Sequence, residues 1–187
     1  MNRGYLVVIG LLFAPNLAAQ ATVVRPEPAL DANRAALRDA LLRFRDTLNS
    51  IDAAAFRLQR DYRQASKASL TSRARVMREA CARSVRNLPP TRQAVLAANA
   101  SGERRLRLRG ELVAALDQLQ QGLARCELDF AVMSGPGEAE RVRGYGNDRA
   151  GRAQAVIRKY ERSLAAFLKA MNIRVTPLSP KSRPLAG

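Results

Sequence analysis

The chain has 187 residues, 32 of them basic and 16 acidic, for a formal net charge of +16, with two cysteines and no histidine. The missing histidine removes Ser-His-Asp and Cys-His nucleophile pairs, HExxH zinc sites and CxxCH haem attachment. Two cysteines without CxxC spacing do not make a zinc or iron site of usual type, and the basic excess directs attention to anionic partners.

The opening "MNRGYLVVIGLLFAPNLAAQA" has a basic Arg3, an apolar run from Tyr5 to Phe13, a breaker at Pro15 and small residues around Ala19-Gln20-Ala21. That order of charge, apolar core and small residues predicts a secretory signal peptide over 1–21, cut after Ala21. The apolar run is shorter than the ~20 residues needed to cross a bilayer core, and no later stretch is more apolar. A periplasmic or secreted protein without a transmembrane span is therefore expected, with residues 22–30 as a linker, 31–175 as one helical domain and 176–187 as a disordered, proline-rich tail.

Within the domain, Leu37, Leu41, Phe44, Leu48, Ile51, Ala55, Leu58 and Tyr62 alternate in steps of four and three. The spacing predicts one apolar helix face between an N-cap at Asp31 and about Gln64. A second stripe, Leu70, Ala74, Met77, Cys81, Ser84 and Leu88, reaches Pro89-Pro90, where the helix is expected to end or kink before resuming from a Thr91 cap. A third, capped near Ser101, reads Leu112, Leu116, Leu119, Leu123, Cys126, Phe130 and Met133. Residues 134–147, rich in glycine and charge, read as a mobile connection. The fourth stripe starts near Asn147 or Asp148 and runs Ala153, Ile157, Tyr160, Leu164, Phe167 and Met171. Four such stripes can bury one another, which predicts an all-α antiparallel bundle of about four helices and allows an elongated form. A coiled-coil dimer built on the first helix is the second choice.

Cys81 and Cys126 both fall on apolar stripes of successive helices, so in an oxidising compartment they are expected to pair as a disulfide. Acid–base candidates are thin. Glu127 and Asp129 are two apart, which turns them about 200° from each other on a helix, and Glu138 and Glu140 lie in the expected connection. No GxxxxGK[ST] loop occurs, and "GYG" at 144–146 reads as a hinge. A protein without catalysis, metal or cofactor is the reading these residues favour.

Charge distribution supplies the functional clue. Residues 57–109 carry 14 basic and three acidic side chains. Arg104, Arg105, Arg107 and Arg109 occupy the first turns of the third helix, where the helix dipole favours acids, while Arg73, Arg75, Arg78, Arg83 and Arg86 surround the second. Arginine grips phosphate and carboxylate bidentately, so these nine residues are the candidate anion-binding set. For an exported chain the partner would be an anionic envelope component, namely lipid headgroups, lipopolysaccharide or a cell-wall polymer. Nucleic acid is disfavoured because Tyr62 is the only aromatic residue in the basic stretch. The alternatives are a protein-binding, chaperone-like or scaffolding module with a protein client and, last, an enzyme of unnamed class.

Overall fold

A computed structural model describes residues 31–60 and 62–174. The segments read from the sequence as a signal peptide (1–21), a linker (22–30) and a proline-rich tail (176–187) lie outside the described residues. Four helices follow in order: α1 (Ala32–Gln59), α2 (Lys67–Ala97), α3 (Glu103–Met133) and α4 (Ala139–Ala170), with no strand among the described residues.

Each helix forms where its apolar stripe predicts it. Asp31 caps α1, its carboxylate accepting from the Arg34 backbone N–H at 2.8 Å, and Ser66 caps α2 by accepting from Ser69 N–H at 3.2 Å. Leu37, Leu41, Phe44, Leu48, Ile51, Ala55 and Leu58 are all buried. So are the stripes of α2 and α3 from Leu70 to Leu88 and from Leu112 to Met133. Each large aliphatic or aromatic side chain buried in this way contributes about 1.5–3 kcal/mol. Successive helices pack as antiparallel neighbours, α4 returns against α1, and α2 touches α4 across the diagonal while α1 and α3 do not meet. In the middle, Phe44 and Tyr160 meet edge to face with ring centroids 5.9 Å apart. The buried Ser84 hydroxyl is satisfied by the carbonyls of Ala80 and of Thr47 on α1.

Three local expectations are corrected. First, α1 stops at Gln59, where Arg60 turns extended, rather than at Gln64. Second, α2 neither ends nor restarts at Pro89-Pro90 but continues through both to Ala97. Prolines at these positions remove the N–H groups that would serve the Val85 and Arg86 carbonyls. Both rings lie on the exposed side, while Leu88, Thr91 and Val95 keep the buried side in register, so packing holds the helix together. Third, the connection between α3 and α4 is only residues 134–138, and α4 begins eight or nine residues earlier than its stripe suggested. Ala139, Val142, Gly146 and Ala150 extend the buried face backward in steps of three and four. Gly146 packs against Leu58 of α1, and ion pairs Glu138–Arg141 (3.0 Å) and Glu140–Arg143 (2.8 Å) bridge the first turns.

Helices α3 and α4 pack tightly at Gly122, where a Cβ would stand 2.7 Å from a methyl group of Val156. Helices α2 and α3 are bridged by the expected Cys81–Cys126 disulfide, which closes a separation of 45 residues with Cα atoms 6.1 Å apart. In the chain-entropy description a loop of that size stabilises the fold by about 4 kcal/mol. The oxidised protein should therefore show two hydrogens fewer than its reduced form by intact mass. The Cys81→Ala/Cys126→Ala variant should unfold at a lower denaturant midpoint, by a loss approaching that figure; an unchanged midpoint would remove the bridge from the account of stability.

Candidate functional site

The antiparallel order sets the start of α3 beside the ends of α2 and α4, and this decides the role of several arginines. Arg105 donates to the carbonyl of Ala170 at the end of α4 (3.0 Å), and Arg109 donates to the carbonyls of Leu96 (3.4 Å) and Ala98 (3.2 Å) at the end of α2. Arg73 repeats the arrangement from the first turns of α2, donating to the carbonyl of Arg60, the C-cap of α1. From α4, Arg143 reaches the Ala65 carbonyl in the α1–α2 connection at 3.1 Å. The last carbonyls of a helix lack intrahelical donors and carry the negative end of its dipole. An arginine that is unfavourable at the start of its own helix is thus favourable to the neighbour's end. Arg73, Arg105 and Arg109 of the nine anion-binding candidates are half-buried and engaged in this way.

The other six are exposed and fall into two groups. Arg75, Arg78, Arg83 and Arg86 line the outer face of α2 over about 16 Å. Their side chains make no ion pair or hydrogen bond among the described residues, and Glu79 is the one acid among them. Arg104 and Arg107 lie on α3 at the end of the bundle, where Arg107 stands 3.8 Å from Glu111. The structure therefore separates what the sequence read as one basic region into a continuous face, a small terminal pair and three internal carbonyl ligands. Arg92, which the sequence reading did not single out, joins α2 to α3 through Asp117 at 2.9 Å.

Of the four carboxylates weighed as acid–base candidates, Asp129, Glu138 and Glu140 are occupied, while Glu127 has no ion pair or hydrogen bond among the described residues. Asp129 is shared by Arg125 (3.2 Å) and Arg149 (3.6 Å), and Glu138 and Glu140 hold the arginines of the first turns of α4. A different pair emerges where α1 meets α4. Gln154 donates to Asp52 at 3.3 Å, and half-buried Glu161 has its carboxyl pushed up, first by desolvation and then by the charge of Asp52, against a smaller opposing effect of Arg158. These acids are 109 residues apart in sequence, and only the α1–α4 packing joins them. Beside them, burial pushes the Tyr160 phenol up, and its hydroxyl has no partner among the described residues. Among the described residues no group of three or more potential metal ligands converges, and no helix is long and apolar enough to cross a membrane. Comparison with protein-family models, with curated proteins and with solved structures finds no match to this chain.

Two outcomes follow from this geometry. Arg105→Gln/Arg109→Gln should lower stability by about 1–2 kcal/mol, since charge-assisted bonds to otherwise unpaired carbonyls are lost. Arg75→Gln/Arg78→Gln should leave stability within about 0.5 kcal/mol of the parent; equal losses in urea melts would contradict the division of roles. For Glu161, a folded pKa above the unfolded one means that its proton is held more tightly in the fold. Its unfavourable contribution is absent below the ordinary glutamate range, near pH ~4.3, and grows as pH rises through the folded pKa. Glu161→Gln should accordingly raise the thermal midpoint at neutral pH, with the gain vanishing below about pH 4; a gain independent of pH would point to packing instead.

Proposed function

We propose that this is an exported, non-catalytic helical module that associates with a phosphate- or carboxylate-bearing envelope surface through the arginine face of α2. The observation that carries this reading is the contrast among the arginines. Those needed by the fold are bound to carbonyls, whereas Arg75, Arg78, Arg83 and Arg86 share one exposed face and have no side-chain partner among the described residues. Self-repulsion of like charges on one helix face opposes folding, so the fold itself supplies no reason for the row. Bidentate guanidinium groups spaced along a rigid helix suit repeated anionic groups on a surface.

Export is supported by the leader-like first 21 residues and by a disulfide, which persists in oxidising compartments. A face on which charged residues predominate and Val76 is the one large apolar side chain among the arginines favours adsorption over insertion. Lipid headgroups, lipopolysaccharide phosphates and acidic cell-wall polymers share the chemistry required.

Co-sedimentation of the oxidised protein with anionic and zwitterionic vesicles over a salt series tests the proposal. Binding should be confined to anionic vesicles and fall as salt rises. Arg75→Gln/Arg78→Gln/Arg83→Gln/Arg86→Gln should weaken it by at least about 100-fold, given roughly 1 kcal/mol per basic residue at such a surface. Replacing Arg104 and Arg107 should matter less. Binding that survives loss of the α2 row would overturn the assignment of the site.

A further inference from the structure

We propose that the partner of the α2 face is a bisphosphorylated sugar headgroup, each of its two phosphates held by one pair of arginines while its hydroxyl groups donate to acceptors set among them. The proposal rests on the anionic-surface reading above and names the chemistry of its ligand.

The exposed arginines of α2 are two pairs rather than an even row. Arg75 and Arg78 are three residues apart, and so are Arg83 and Arg86. At that spacing the side chains of a pair leave the helix about 5–6 Å from each other, near enough for both to hold one phosphate. The midpoints of the two pairs are eight residues apart, about 12 Å along the helix axis. Met77, Ala80, Ser84 and Leu88 are buried on the inner side of the same stretch, and Cys81 is tied to α3 by the disulfide. The fold therefore fixes the spacing between the pairs.

Acceptors lie between and beyond the pairs. Glu79 is one turn from Arg75 and one turn from Arg83, the spacing at which Arg107 pairs with Glu111 and Arg125 with Asp129. Its exposed carboxylate nevertheless makes no ion pair or hydrogen bond among the described residues. Pro89 and Pro90 follow Arg86 by three and four residues, which sets them on the arginine side of the helix, and both are exposed. Through them the Val85 and Arg86 carbonyls lose their usual N–H donors. The face thus presents a guanidinium pair, a carboxylate, a second guanidinium pair and two carbonyls short of donors. A partner carrying only anionic groups would meet repulsion at Glu79, whereas phosphates joined by a scaffold that bears hydroxyl groups meet complementary chemistry throughout. A sugar with two phosphates supplies both in one molecule, so the groups need not be gathered from separate lipids and the ordering cost of binding is lower.

The test is co-sedimentation of the oxidised protein with vesicles that contain bisphosphorylated lipid A, monophosphorylated lipid A or phosphatidylglycerol, each diluted in phosphatidylcholine to the same surface charge. The bisphosphorylated headgroup should bind at least about tenfold tighter than either of the others. Arg75→Gln/Arg78→Gln and Arg83→Gln/Arg86→Gln should each remove that preference, since either leaves one phosphate unheld. Glu79→Gln should tighten binding to phosphatidylglycerol, where the carboxylate repels, and weaken binding to the bisphosphorylated headgroup. Pro89→Ala/Pro90→Ala restores both N–H donors and should reduce the preference with helical circular dichroism retained. The deacylated bisphosphorylated disaccharide should compete only weakly; if it bound as tightly as the vesicles, the partner would be a soluble phosphosugar and the headgroup assignment would fall. Equal binding to all three vesicles, or tightening of all three alike by Glu79→Gln, would overturn the proposal and leave the anionic-surface reading standing. Absence of binding to any of them would overturn both.

Discussion

Each of the four helices has one narrow apolar stripe and a polar remainder, and no helix can cover its own stripe. Mutual burial of these stripes is the constraint from which the rest of the structure follows. Short connections then make successive helices antiparallel. Antiparallel packing brings Cys81 opposite Cys126, fits Ser84 against Thr47, and closes the α1–α4 edge around Phe44 and Tyr160. The same burial carries α2 through two prolines and begins α4 inside a glycine-rich stretch. In both cases the contacts made by the buried face outweigh unfavourable local propensities of about 1–3 kcal/mol per residue.

Antiparallel order also places helix starts beside helix ends, and the arginines use this. Arg73, Arg105 and Arg109 each sit in the early turns of one helix and bind carbonyls at the end of another, while Arg143 binds the carbonyl of a connection. These interactions are electrostatic complements between neighbours, invisible when a helix is considered alone. They also refine the functional reading, because arginines engaged in the fold are distinguished from the α2 row, which has no side-chain partner among the described residues. A basic composition is thus divided into a structural part and a part offered to solvent.

The exposed side of α2 carries Arg75, Arg78, Arg83 and Arg86 against one acid, Glu79, a pattern that suits a partner with repeated negative charge.

The sequence by itself determined the helical class, the number of helices, about two thirds of the core residues and the disulfide. These depend on a periodicity of three and four that is local and is repeated over 28–32 residues. Only the tertiary structure decided where α4 begins, whether α2 survives Pro89-Pro90, which arginines are occupied, and that Asp52 comes within electrostatic reach of Glu161. Each of these depends on a contact between residues distant in the chain, with Leu58 against Gly146 or Ala170 against Arg105, and such contacts have no period in the sequence from which they could be read.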